Sequence, residues 1–346
     1  MSAASVYPSY LTRLYELEIG LNRNVQKQMR NTEPLLQDVN TYLDPQMIMD
    51  AWLPLVGTLS HKLLVRMAVS VSLLNLLTSL IKWIAPEHRP IWWLKEYNSR
   101  YKFKGFNTGA NTCDTSAGFP SSHSVTFTAF AFIFFHWLLL KLGRQCHMSK
   151  VEKCVLTHAM VSLPLILLWC GRLYFLTEFL HQCIGGSILA MAGIHFLNRN
   201  TAVLLKFSKL CAVMFVVAAG MLPLGIYFAM LHLDEDPHWS VRMAFKWCSE
   251  VTSMRHEAGP IYVLFRDYGY LLGVALSCPM LQSYKNGNNN NIYKRLPATL
   301  LLIFLNFTAL QNTPKHMGRW VFLIYELVRN CVQSYTLLSI FPKICK

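Results

Sequence analysis

Six runs of the chain carry no Asp, Glu, Lys or Arg: residues 115–140, 154–171, 179–198, 210–233, 268–284 and 296–314. Each is close to the ~20 residues that cross a bilayer core. Three further stretches fit less cleanly. Residues 62–81 keep their cations near the start, and 46–60 is short and contains Asp50. Residues 320–340 are interrupted by Glu326 and Arg329, which stand three apart and can pair within one helix. The pattern predicts an all-α fold, a polytopic membrane helical bundle of about nine transmembrane helices. Residues 1–45 form a polar amino-terminal segment without a signal-peptide core, and 46–346 a single membrane domain.

Of the 346 residues, 53% are hydrophobic and 14% charged, with a net charge of +14. A basic soluble domain that binds nucleic acid would carry roughly 25% charged residues, so we expect no nucleic-acid partner. The cations instead mark loops. Lys141, Arg144, Lys150 and Lys153 follow the third span, Arg199, Lys206 and Lys209 the fifth, and Lys285, Lys294 and Arg295 the seventh. By the positive-inside rule these loops are cytoplasmic, and the loops after spans two, four, six and eight face the other compartment. The ten Cys are scattered without a CxxC pair. Cys113 and Cys248 fall on the same side, where a bridge is open to them, but the expectation is two free thiols. The sequon at Asn306 lies inside a span and is expected to go unused, and "KNGNNNN" reads as a polar loop tip.

Three charged clusters sit at membrane edges. "KWIAPEHRPIWW" places Lys82 and Arg89 beside Trp92 and Trp93, which also suits an interfacial aromatic belt. "TCDTSAGFPSSHSVTF" brings Pro120, Ser121, Ser122 and His123 to a helix start. Free N–H groups there favour an anion, and His123 could act as a general acid; an ordinary N-cap followed by a lone His is the plain alternative. "GRLYFLTEFLHQ" holds Arg172 and Glu178. They are six apart, about 240° around a helix, and so are not expected to neutralise each other along one helix. The alternative there is a helical hairpin whose Arg snorkels to the headgroups. The charge count places all three clusters on one face, where three cations, hydroxyls and a His make a phosphate cage. No His/Cys/Asp/Glu pair has metal-ligand spacing and there is no Walker loop, so neither a metal nor another cofactor is expected.

In this order, K-x6-RP, PS-x-H and an Arg-led third motif resemble the membrane phosphatases of the PAP2 and vanadium-haloperoxidase type. Among these the chain is most similar to the glucose-6-phosphatase family, from about Asp44 to the C-terminus. The resemblance implies a PAP2-like core in the endoplasmic-reticulum membrane with a lumenal active site. It implies metal-free hydrolysis of glucose 6-phosphate through a phosphohistidine, and a sugar-phosphate transporter as a partner. Carried over, Lys82, Arg89 and Arg172 hold the phosphoryl oxygens with the Ser121 and Ser122 N–H groups, and His123 protonates the leaving oxygen. This sequence departs from the pattern at several positions. Ser122 stands in place of a Gly, Gly171 in place of a Ser, and Gln182 in place of the wider superfamily's Asp. Glu178 occupies the place of the nucleophilic His, with His181 three residues further on. Glu178 then replaces the nucleophile as a carboxylate, or His181 swings in, or the chain is an impaired relative that binds a sugar phosphate. A lipid phosphate phosphatase is the other enzymatic reading. Hydrolysis is the expectation, because the cage is retained.

Overall fold

The computed structural model describes residues 9–97, 105–106, 112–204, 206–248, 259–279, 292–314 and 316–344. "KNGNNNN" and the end of "FKWCSE" lie outside the described residues. No strand occurs among those described, which form thirteen helices once two π-helical turns are joined to the helices they continue. We label these α1 (Ser9–Gln28), α2 (Glu33–Tyr42), α3 (residues 45–59), α4 (His61–Ile84), α5 (Pro90–Glu96), α6 (Ser122–Gln145) and α7 (Lys150–Tyr174). They continue as α8 (Leu180–Leu204), α9 (Lys209–His232), α10 (Trp239–Trp247), α11 (Pro260–Leu276), α12 (Ile292–Gln311) and α13 (residues 319–344).

Five helices, α4 and α6 to α9, are long and apolar enough to cross a membrane. At 24 residues α4 is about 36 Å long, more than the ~30 Å hydrocarbon core. Helix α12 is apolar but shorter, and α3, α11 and α13 carry charge. Helix α4, uncharged from Met67 to Ile81, lies at the centre, packed on α6, α8 and α11. Helix α9 lies outside: only 17% of its apolar window is buried, against 67% for α4.

Two boundaries differ from the uncharged runs. The run 115–140 begins in an irregular loop, and its helix starts at Ser122, where the Ser121 hydroxyl accepts from the Ser124 N–H at 3.1 Å. The run 268–284 enters a helix, Pro260–Leu276, that starts eight residues earlier and therefore takes in Arg266 and Asp267. The two neutralise each other at 2.9 Å, and the Ser79 hydroxyl donates to the other Asp267 oxygen at 2.9 Å, so the helix extends through them. The Glu326–Arg329 pair does form, at 2.9 Å, and Arg329 also reaches Asp50 at 3.4 Å. Asn306, in the sequon, is buried with its amide 3.4 Å from the Asp50 carbonyl.

The amino-terminal helices pack on α7. The last carbonyls of a helix lack partners within it. Here the Asn22 and Gln26 amides of α1 donate to the Leu173 and Tyr174 carbonyls at 3.0 and 2.5 Å. Tyr15 stacks on Phe179, with ring centroids 4.7 Å apart. This dresses the end of α7 and fixes the turn that follows it. Cys113 and Cys248 are not free thiols as expected: they form a disulfide across 135 residues that ties the loop before α6 to the end of α10.

Candidate active site

The C-terminal ends of α4 and α7 and the N-terminal ends of α3, α6, α8 and α11 meet at one end of the bundle around a cavity of about 50 Å³. Lys82, Arg89, Ser122, His123 and Glu178 all line it. Arg172 stands behind Glu178, its Nε donating to Glu178 Oε2 at 3.0 Å.

That contact corrects the helical-wheel expectation that Arg172 and Glu178 would not pair. The wheel assumes an unbroken helix, but α7 stops at Tyr174. The Thr177 N–H and hydroxyl both bond the Arg172 carbonyl, at 3.1 and 2.9 Å. Buried Leu176 takes φ +54°, a left-handed conformation that costs a branched side chain of order 1–3 kcal/mol. The chain thus folds back and returns Glu178 to Arg172. Helix α8 then restarts, with the Gln182 side chain accepting from the Phe179 N–H at 3.0 Å.

Glu178 Oε2 also accepts from the Ser121 hydroxyl at 2.6 Å. Its Oε1 lies 3.9 Å from an Arg89 terminal nitrogen and makes no hydrogen bond among the described residues. Burial alone would raise this carboxyl, but the charges of Arg172 and Arg89 outweigh it and hold it down at about 2. Glu178 is therefore anionic at neutral pH, with Oε2 anchored and Oε1 left without a hydrogen bond among the described residues.

The two guanidiniums are locked in place. Asp114 Oδ2 bridges Arg89 and Arg172, 3.2 Å from each. Arg89 further donates to the Ser116 carbonyl and the Thr177 carbonyl, both at 2.7 Å. Lys82 Nζ donates to the Ala117 carbonyl at 2.6 Å, which leaves it two more donors. The loop 112–121 is thus shaped around the cations. Its far end is pinned where the Ser121 N–H meets the Gln182 carbonyl at 3.1 Å and where α8 comes so close that a Cβ on Gly186 would lie 2.7 Å from the Ser121 carbonyl oxygen. The Ser121 N–H assigned to phosphate from the sequence is occupied by that bond, and it is the hydroxyl that faces Glu178. Ser122, at the first turn of α6, keeps its place in the cavity wall.

His123 Nε2 lies 3.3 Å from Asp44 Oδ2, and the other Asp44 oxygen caps α3 through the Gln46 N–H at 2.9 Å. His181 is not at the cavity. Its ring is clasped between Glu18 of α1 at 2.7 Å and Glu87 at 2.9 Å, so swinging it toward phosphate would break two ion pairs. Sequence reasoning missed Asp44, Asp114 and Arg266, which line the same cavity. For the two Asp residues the available signal was an acidic residue ahead of a helix or motif, a position too common to single out, and Arg266 inside α11 gave none. Among the described residues no group of His, Cys, Asp and Glu is arranged to hold a metal ion.

The PAP2 superfamily matches residues 63–204, a span that contains every cage residue named above. Glucose-6-phosphatase 2 of Homo sapiens is 25% identical over 92% of both chains. Glucose-6-phosphatase 3 of Rattus norvegicus is 24% identical over 82% of both, and the glucose-6-phosphatase catalytic subunit 1 of Mus musculus 23% over 75%. The chain is thus similar to glucose-6-phosphatases along most of its length. Its class is that of the phosphoric monoester hydrolases. Asp44 and Arg266 fall outside the superfamily match and are contributed by the flanking helices α3 and α11. No solved structure matches the chain significantly.

Proposed function

We propose that this protein hydrolyses glucose 6-phosphate to glucose and phosphate, with Glu178 as the nucleophile and His123 as the general acid. The observation that carries this is the state of Glu178: ionised, anchored through Oε2 by Arg172 and Ser121, and lining one cavity with Lys82, Arg89 and His123. Phosphoryl transfer asks mainly for positioning and charge stabilisation. Glu178 Oε1 attacks phosphorus and the bond from phosphorus to the sugar oxygen breaks. His123 delivers a proton to that oxygen, leaving an acyl phosphate on Glu178. A water molecule, losing its proton to His123, then attacks phosphorus and frees inorganic phosphate and the carboxylate. A carboxyl of so low a pKa is a modest nucleophile but departs readily from the acyl phosphate. Placing a phosphate dianion beside Glu178 is costly, and Lys82, Arg89 and Arg172 offset that cost.

In this reading the site faces the lumen of the endoplasmic reticulum. The basic loops lie at the opposite end of the bundle, and the Cys113–Cys248 bridge is a bond typical of oxidising compartments. A sugar phosphate made in the cytosol then needs a transporter to reach it.

The test is phosphate release from glucose 6-phosphate by permeabilised microsomes carrying the wild type or Glu178→Gln. The expected result is turnover and a hydroxylamine-sensitive phosphoenzyme in the wild type only. Equal rates in the two would remove Glu178 from the mechanism. Binding without turnover would favour a sugar-phosphate receptor in which Glu178 holds the cage donors for itself, and a preference for phosphatidate in micelles would favour a lipid phosphatase.

A further inference from the structure

A second cavity, of about 390 Å³, lies between α2, the start of α3 and α12. Its size falls within the roughly 300–1,000 Å³ of small-molecule sites. It shares three lining residues with the reaction cavity, Asp44, Gln46 and His123, and does not include Lys82, Arg89 or Glu178, while Arg172 and Asp50 also line it. His123 therefore stands where the two cavities adjoin. In-line transfer puts the leaving group opposite the nucleophile, on the side of the acid that protonates it.

Resting on the hydrolysis proposed above, we infer that this second cavity is the leaving-group subsite and that it selects a polyhydroxylated sugar through Asn40, Thr41 and Gln46. Its wall alternates these amide and hydroxyl groups with the apolar faces of Phe307 and Leu310. Hydroxyls at the edge of a sugar ring need donors and acceptors, whereas its C–H faces need apolar contact. Asn40 bears a second, independent mark: it is 4% exposed, its Nδ2 donates to the Leu36 carbonyl at 2.7 Å, and its Oδ1 has no hydrogen-bond partner among the described residues. A buried amide oxygen without a donor is costly, and a ligand hydroxyl would relieve it. Gly171 makes the room, since a Cβ there would collide with the Asn40 amide. The glycine beside Arg172 thus admits a recognition side chain next to the reaction centre. The larger apolar groove of about 620 Å³ between α9, α11 and α13 shares no residue with either cavity, so an acyl chain lying there would not lead into the site.

The experiment compares wild type, Asn40→Ala, Gly171→Ser and the double variant in microsomes, on glucose 6-phosphate and on para-nitrophenyl phosphate, which has no hydroxyls to recognise. Each single variant should raise KM for the sugar ester about tenfold, the worth of one good hydrogen bond, and leave the aryl ester within about twofold. The double variant should be no worse than either single one, because both act on the same amide. Equal losses on both esters, or unchanged KM on both, would overturn the subsite. If the wild type hydrolyses neither ester, the proposed function fails, and equilibrium binding of radiolabelled glucose 6-phosphate to the same variants decides the subsite separately. A tenfold weaker Kd in Asn40→Ala supports it, and an unchanged Kd overturns it.

Discussion

Two buried clusters in this protein each combine arginine with two carboxylates, and they differ in what they leave open. In the first, Arg329 of α13 pairs with Glu326 at 2.9 Å and with Asp50 of α3 at 3.4 Å, while the Gln333 amide donates to Asp50 at 2.7 Å. Neither Arg329 nor Glu326 lines any of the cavities described above, and Asp50 borders only the second one, with its oxygens already bonded to Arg329 and Gln333. The second holds Arg89, Arg172, Asp114 and Glu178 in the same bonding style, yet Glu178 lines a cavity shared with Lys82 and His123. Buried charge by itself therefore says little about catalysis. The first network joins helices, and the second leaves a carboxylate oxygen unbonded among the described residues at a cavity that His123 also lines, which is what the proposed reaction needs.

Substitutions should separate the two clusters. The largest effect is expected for Glu178→Gln, which keeps the shape but removes the charge and the nucleophile. Phosphate release should fall by roughly 10³-fold or more, measured as single-turnover phosphate production, while the protein stays folded. Next comes His123→Gln, with a loss of about 10²–10⁴-fold on glucose 6-phosphate. Its loss in the initial burst of para-nitrophenolate should be much smaller, because that leaving group departs without a proton in the first step; equal losses in the burst would assign His123 to phosphate binding alone.

In the closed cluster, Arg329→Met strands Asp50 and Glu326. It should cost about 3–5 kcal/mol of stability, seen as a lower midpoint of thermal inactivation, with KM for para-nitrophenyl phosphate unchanged in the protein that remains folded. A change in KM would mean that the closed cluster also serves the site. The Cys113→Ser/Cys248→Ser pair should cost about 2–5 kcal/mol by the same assay.

The smallest effect concerns pH. Glu178 is held at about 2 in the folded protein, below the ~4.3 of an ordinary glutamate. A depressed folded value stabilises above the unfolded value, and that contribution disappears as pH falls from about 4 toward 2. The wild type should therefore lose part of its margin in thermal midpoint over Glu178→Gln across that window. A constant difference would show that Glu178 is not ionised in the folded state.

How far the site was legible depended on whether its residues lie within one helix. Glu326 and Arg329 are three apart, and the helix pairs them as their spacing predicts. Lys82, Arg89, Ser121, His123 and Arg172 were legible as motifs at helix ends, and counting cations in loops placed those ends together. The Arg172–Glu178 pair was not legible, because it depends on a left-handed Leu176 and a turn that no helical wheel contains. Asp44 and Arg266 were missed for a related reason: each reaches the cavity from a helix far along the chain. The bridge between Cys113 and Cys248 likewise joins residues 135 apart, whose proximity exists only once α10 has docked beside the loop.

The sequence by itself determined that this is a helical membrane protein with its cations sorted by loop, because water and lipid act on each run of residues separately. It also determined which cations, hydroxyls and His sit beside the ends of those runs. Only the tertiary structure decided the state of Glu178 and the company of His123. Those depend on where six helix ends converge, and such convergence is set by packing across the bundle and leaves no period in the chain.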